Sequence, residues 1–531
     1  MLDWLGRTAV LAVTLMSASA ALAQTLTIGI DFEPPSLDPH LRMITPDEAV
    51  SQHFFDALIF QDENQRMLPG LALSWRAVND RTWEFHLRQG VKFCDGSDFT
   101  AEDVAFSLKR PPTVPNASGG YQFYTRDITV VEILDTHTVR VHTGAPQPTL
   151  PNRLSIVWIV SHRAAGATSA DFDIGKAMMG TGPFCFVEWR KGERIVMRRN
   201  ENYWHGKPAW QRVVLQPIPS DPARVAALLA HDVDMINAVP TSVRADLKKR
   251  PGARIFETAS ARPTYLTFDT YAERSPFVTD RAGNPLEKNP LKDVRVRRAI
   301  SLAINRQALV AGVLEGAGAP TGQMLPHGYY GVTAKLPPLF DLETARRLLA
   351  EAGYAGGFGI TLHVSSTRTP FDEKTALAVA EMLTRVGVAT KVAALPEAIY
   401  KTRALKYELS FMLLGYYTET AEPSPWLIGL VATPDPATGA GYSNYGRHSL
   451  PELDRLLARA VTTIDDRERE PLLQQATELA IGEAEIVPLF HADAVWALRD
   501  GLDYIPRKDN FTLALFVTPS ALRHATEAWG Q

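Results

Sequence analysis

The sequence predicts an α/β fold with more than one folding unit. Three observations carry this. The chain has 531 residues, well beyond the roughly 150 of one domain. Between residues 293 and 414, helical and alternating apolar patterns follow one another at the spacing of parallel βαβ units. Residues 181–204, TGPFCFVEWRKGERIVMRRNENYW, read as a β-hairpin. There Phe184, Phe186 and Trp189 lead into one strand. Lys191-Gly192-Glu193 turns, and Ile195 and Met197 alternate with charged residues.

The other elements of the first half follow in order. Leu26, Ile28, Ile30 and Phe32 alternate as a first strand, ended by the loop Glu33-Pro34-Pro35-Ser36-Leu37-Asp38-Pro39. A helix is expected over 47–57 and a strand over 82–88. Thr100 is a good N-cap with Asp103 three residues on, so a helix is expected from there through Leu108. Residues 110–120, rich in Pro, Asn, Ser and Gly, read as a surface loop, and 129–143 as two short strands. Residues 46–175 thus form an α+β insertion, after which the hairpin returns to the first sheet. A helix over 221–231 and a strand over 233–236 complete this half.

The second half has a different rhythm. Residues 293–304 and 306–315 read as helices. Asp341 caps a helix whose core face is Ala345, Leu348, Leu349 and Ala352, with Gly353 closing it. Ile360, Leu362 and Val364 form a strand, and 372–386 a helix ending at Gly387. A strand over 388–395, a helix over 397–405 and an apolar strand over 409–414 follow. Parallel sheets of this kind present ligands at the carboxyl ends of their strands. That rule points to the loop after Leu414.

Composition narrows the function classes. The chain is 45% hydrophobic and 21% charged, with a net charge of −4. It has no basic run, which argues against nucleic acid or an anionic membrane as the main partner. Met1–Arg7 is a short head, residues 8–20 are apolar and small, and Ala21-Leu22-Ala23 is an A-x-A site before Gln24. Residues 1–23 therefore read as a cleavable signal peptide and the mature chain as an exported, periplasmic protein. Export permits the two cysteines, Cys94 and Cys185, to pair. The preferred reading is two separate, part-buried thiols, because sequence does not bring their Cα atoms within bridging distance.

The usual catalytic chemistry is absent from the sequence. There is no G-x-S-x-G, no P-loop and no G-x-G-x-x-G. Gly180-Thr181-Gly182 lacks the third glycine and opens a strand. The 13 histidines are scattered without an H-E-x-x-H, and the cysteines lie far apart, so neither a metal site nor a cofactor is expected. Asp232 and Asp234 read as a solvated strand end. A secreted hydrolase is the competing class, and no nucleophile–base–acid motif supports it.

Several blocks, in order, resemble the peptide/nickel/opine (family 5) extracytoplasmic solute-binding proteins of ABC transporters. They are Pro35–Pro39, Leu71-Ala72-Leu73-Ser74-Trp75 with 82–103, and Gly180–Phe184 with Asn200-Glu201-Asn202-Tyr203-Trp204. Asp293–Ala299 and Gly415-Tyr416-Tyr417-Thr418-Glu419-Thr420-Ala421-Glu422-Pro423 follow. The resemblance implies a two-lobe, type II-like periplasmic-binding-protein fold with an extra α+β subdomain. Lobe I would be 24–265 plus 492–531, with 46–175 inserted, and lobe II 266–491. Crossovers near 265–268 and 490–493 would be the hinge.

The same resemblance implies a receptor and not an enzyme. It would capture peptides or similar small solutes between its lobes and deliver them, as a monomer, to permease subunits driven by cytoplasmic ATPase subunits. Nickel chelates, opines and sugars are the alternative ligands within the family. Glu419 takes the position where peptide-binding relatives carry an Asp that pairs with the ligand α-ammonium, and Tyr416 the place of a frequent Trp. Glu33 and Arg368 fall at or near positions that contact ligand in some relatives. Tyr417, Trp426, Tyr442 and Tyr445 offer flat walls with polar tips. Taken alone, Glu419 is an ordinary loop acid, Arg368 a surface charge, and Trp426 and Tyr442 equally core or wall.

Overall fold

The computed structural model describes residues 25–117, 120–337 and 339–522. The expected signal peptide lies outside the described residues. The chain divides into two compact units. The first runs to Ala145, takes in Thr149–Thr258 and resumes at Ala494; the second holds Pro146–Pro148 and Ala259–Asp493. Two long strands, Ala253–Phe268 and Ile486–Arg499, run through both boundaries.

In the first unit, Thr25–Ile30 pairs in parallel with Arg212–Pro217 on one side and Met235–Ile236 on the other. Its alternation has a physical origin: Leu26 and Ile28 are fully buried in the core with Val213, Leu215 and Trp496. Phe32 falls outside the strand, which ends at Ile30 before the Pro-rich loop. The expected hairpin forms from Phe184–Arg190 and Arg194–Arg199, with Gly192 at φ 75° in the turn. Arg194–Arg199 pairs antiparallel with Arg212–Pro217.

The segment expected to be an insertion carries a four-stranded antiparallel sheet. Its order is Ala72–Asn79, Thr82–Leu87, Thr138–Thr143, Ile128–Asp135. Trp83, Phe85, Val139 and Val141 are buried along one face, and helix Ala101–Lys109 lies nearby. The capping acid is in place, since the Asp103 carboxylate accepts the Thr100 N–H at 2.8 Å and the His162 N–H at 2.8 Å. The helix expected over 47–57 is shorter, Thr45–Ser51. Phe54 and Phe55, 2% and 0% exposed, leave the helix to fill the core beside the hairpin. Cys94 and Cys185 form a disulfide, with their Cα atoms 5.7 Å apart.

In the second unit, Phe358–Ser365 pairs in parallel with Val388–Leu395 and with Phe411–Gly415. The last of these pairs antiparallel with the end of Ala253–Phe268, so the sheet is mixed. Helices Val294–Ala303, Leu342–Glu351 and Asp372–Thr384 cover it, burying Val296, Ile300, Ala345, Leu349, Val379 and Leu383. Asp341 accepts the Thr344 N–H at 2.9 Å, and Gly353 takes φ 89° just past the helix end, as caps should. No helix among the described residues is long and apolar enough to cross a membrane.

Candidate functional site

The strand Phe411–Gly415 is apolar and buried through Leu414. Its carboxyl end opens into the loop that begins at Tyr416. The Tyr416 N–H donates to the Pro263 carbonyl at 3.1 Å, tying the loop start to the neighbouring strand. Arg368 comes from the loop after the adjacent parallel strand, Phe358–Ser365. A Cβ on Gly415 would lie 1.9 Å from Arg368 Nη1 and 2.8 Å from Cζ, so the guanidinium rests on the glycine. The absence of a side chain at 415 makes room for a cation at the strand end.

Arg368 is held in that place. Its Nη2 donates to Asp372 Oδ1 at 2.6 Å, and its backbone N–H donates to Ser365 Oγ. Thr369 Oγ1 also donates to Asp372 at 2.6 Å. Asp372 is fully buried, and burial pushes its carboxyl up against the opposing pull of Arg368. Arg368 Nε meets no acceptor among the described residues.

Tyr265 and Tyr400 stand beside Arg368. Tyr400 is 1% exposed and its hydroxyl donates to the Leu413 carbonyl at 2.9 Å. Burial raises the Tyr265 and Tyr400 phenols, and the Arg368 charge opposes the rise in both. Burial raises Tyr416 as well, helped by the charges of Tyr442, Glu419 and Glu422. Tyr442 is pushed up to about 12 by loss of water around its hydroxyl and then by Glu419. That ring lies over Gly429, where a Cβ would meet it at 2.7 Å, while its other face stays open. Glu419 itself is half-buried. Arg262 stacks over Tyr417, its Cζ 4.5 Å from the ring centroid.

Six expected positions thus fall in the second unit: Arg368, Tyr416, Tyr417, Glu419, Tyr442 and Tyr445. Trp426 is in the same unit but is 1% exposed, packed in a core with Leu427, Leu453 and Leu473. Its indole N–H meets no acceptor among the described residues. Glu33 belongs to the first unit. One of its oxygens accepts the Gly192 N–H at 2.7 Å and the Trp189 indole N–H at 3.2 Å, so it closes the hairpin turn.

Sequence reasoning missed Arg262, Asp372, Tyr265 and Tyr400. Asp372 had a signal, since it stands four residues after Arg368 at the start of a helix. Arg262 had none, because an antiparallel strand distant in sequence delivers it. Among the described residues no group of three or more His, Cys, Asp or Glu side chains is placed to hold a metal ion.

Known proteins share this architecture. Residues 66–437 match the bacterial extracellular solute-binding proteins, family 5 middle. The chain is 28% identical to heme-binding protein A of Haemophilus influenzae, over 84% of this chain and 82% of that one. It is 26% identical to the dipeptide-binding protein of Escherichia coli, over 92% and 93%. Among solved structures, HbpA2 from Haemophilus parasuis superposes with a TM-score of 0.79 at 26% identity, covering 93% of this chain and 100% of that one. The periplasmic binding protein DppA from Helicobacter pylori, in complex with the peptide STSA, gives 0.73 at 24%, covering 94% and 99%, and so speaks for the fold. With the family matched over most of its length and the two-lobe α/β fold shared by its neighbours, this chain belongs to family 5 of the bacterial extracellular solute-binding proteins.

Proposed function

We propose that this protein is the periplasmic receptor of an ABC importer, and that it captures peptides or similar small zwitterions for a membrane permease. It is a receptor and not an enzyme. One observation carries the ligand class. An acid, Glu419, lies beside Tyr416 and Tyr442, and a base, Arg368, lies beside Tyr265 and Tyr400, both in loops after the carboxyl ends of adjacent parallel strands. A zwitterion needs one of each, and charge-assisted hydrogen bonds are roughly twice as strong as neutral ones. In this reading Tyr416, Tyr417 and Tyr442 supply sequence-tolerant apolar surface for the ligand. The E. coli relative named for dipeptides supports the reading. Residues 1–23 direct export, and the mature receptor works as a monomer.

In this reading Glu419 pairs with the ligand ammonium and Arg368 approaches its carboxylate, with Asp372 holding the guanidinium in place. Trp426 backs the loop. The lobes are 24–265 with 492–531, and 266–491, with 46–175 inserted in the first. The crossings near 265–268 and 490–493 act as the hinge on which the receptor closes.

Truncating a buried carboxylate that pairs with a ligand charge costs about 2–5 kcal/mol. That is on the order of 30- to several-thousand-fold in affinity. Glu419→Ala and Glu419→Gln are therefore expected to lose most binding of di- and tripeptides by calorimetry, with the empty protein's melting temperature nearly unchanged. Scattering on the same samples is expected to show a smaller radius of gyration with ligand for the parent only. Binding within about twofold of the parent in both variants would overturn the ammonium role.

A further inference from the structure

The loop that carries Glu419 is gripped just beyond it. Ala421 has φ 54°, a left-handed backbone that a non-glycine residue keeps only when its surroundings impose it. The residue that follows is firmly held. Glu422 is 1% exposed. Its carboxylate accepts the Ser424 hydroxyl, the Ser424 N–H at 3.1 Å and Arg469 Nη1 at 3.2 Å. Arg469, also buried, reaches in from helix Asp466–Gly482, and its Cζ lies 4.8 Å from the Tyr330 ring centroid. Pro423 packs against Gly331, where a Cβ would sit 2.7 Å from Pro423 Cγ. The Gly331 N–H is held in turn by Glu470, at 3.1 Å. Glu422 is thus committed to groups behind the loop, while Glu419 is half-buried three residues before it. Both carboxylates are close enough to Tyr416 to raise its phenol.

We propose that Glu422 and Arg469 are positioning residues for ligand capture: their buried ion pair, acting through the bend at Ala421, fixes the 415–423 loop so that Glu419 meets the ligand ammonium. The proposal rests on the assignment of Glu419 made above. It gives the two acids of this loop distinct tasks, Glu419 for the ligand and Glu422 for the loop.

The test uses trialanine and N-acetyl-trialanine, which differ in the ammonium. The parent is expected to prefer trialanine by on the order of tenfold or more in calorimetry. Glu422→Gln is expected to shrink that preference to about twofold while leaving N-acetyl-trialanine affinity unchanged. A merely structural role would weaken both probes alike and keep their ratio. Retention of the full preference in Glu422→Gln overturns the proposal. A parent without any preference overturns the Glu419 assignment instead. Hydrogen exchange of the empty protein then still decides the positioning claim. Amides of 416–422 are expected to exchange on the order of tenfold faster in Glu422→Gln, and unchanged exchange overturns it. If the single variant fails to fold, Glu422→Gln with Arg469→Gln leaves no buried charge alone and is read the same way.

Discussion

Gly180 and Gly182 show why a short string can mark a whole family. A Cβ on Gly180 would stand 1.9 Å from the Phe54 carbonyl oxygen, and one on Gly182 2.5 Å from the Phe54 carbonyl carbon. Backbone meets backbone there, and the Gly182 N–H donates to Phe54 O at 2.9 Å. The residues between and after the glycines then converge on one buried carboxylate, Asp56. Thr181 Oγ1 donates to it at 2.8 Å, Trp204 Nε1 at 2.8 Å and the Tyr203 hydroxyl at 3.3 Å. Burial raises the Asp56 carboxyl, and those three hydrogen bonds oppose the rise. The motif was legible in sequence, but its target, more than a hundred residues earlier, was not. Gly180→Ala has no flexible neighbour to displace, so it is expected to destabilise by about 1–3 kcal/mol or more. Denaturant unfolding of the variant checks this, and an unchanged midpoint would refute it.

Among elements, capped helices were the most legible. Asp341, Asp293 and Asn305 all accept backbone N–H groups where the sequence placed helix starts. Such bonds are local and leave a local signature. The helix expected over 47–57 failed at its end for the opposite reason. Its last turns are given up so that Phe54 and Phe55 can be buried, which only the folded core decides. The disulfide is also a tertiary decision. It ties the turn before helix Ala101–Lys109 to strand Phe184–Arg190, closing a separation of 91 residues. Constraints of this kind contribute about 2–5 kcal/mol. Cys94→Ala with Cys185→Ala is expected to melt several degrees below the oxidised parent, and a reductant is expected to bring the parent to the same point. Equal melting with and without reductant would refute this.

Across the molecule, four buried histidines among the described residues contribute to the acid limb of stability. Burial lowers His40, His53, His363 and His491 to about 4, with Arg110 adding to the effect at His40 and Arg403 at His363. In the unfolded chain each takes a proton near 6.5. Between about 6.5 and 4 the unfolded state therefore binds more protons, and stability rises with pH. Their contribution is complete above 6.5 and is lost as pH falls toward 4, at most about 3 kcal/mol each. Asp47, raised by burial to about 6 against the pull of Arg42, works the other way, as do Asp56 and Asp372, whose carboxyls burial also raises. Melting temperature is expected to fall steeply between pH 6.5 and 4, with a shallower slope in His53→Gln. A flat profile would contradict the sign.

The sequence by itself determined the α/β class, the order of strands and helices in the second unit, the hairpin and the loop in which Glu419 stands. Those features arise from periodicity and caps, which are local, and from the rule that parallel strands present ligands at their carboxyl ends. The tertiary structure decided which of the expected residues meet. It brought Arg368 onto Gly415 beside the tyrosines, sank Trp426 into the core, and turned Glu33 toward its hairpin. It also buried Glu422 against Arg469 while Glu419, three residues earlier, stays half-buried. The burial of Glu422 depends on Arg469 of helix Asp466–Gly482, which no local pattern in the loop encodes.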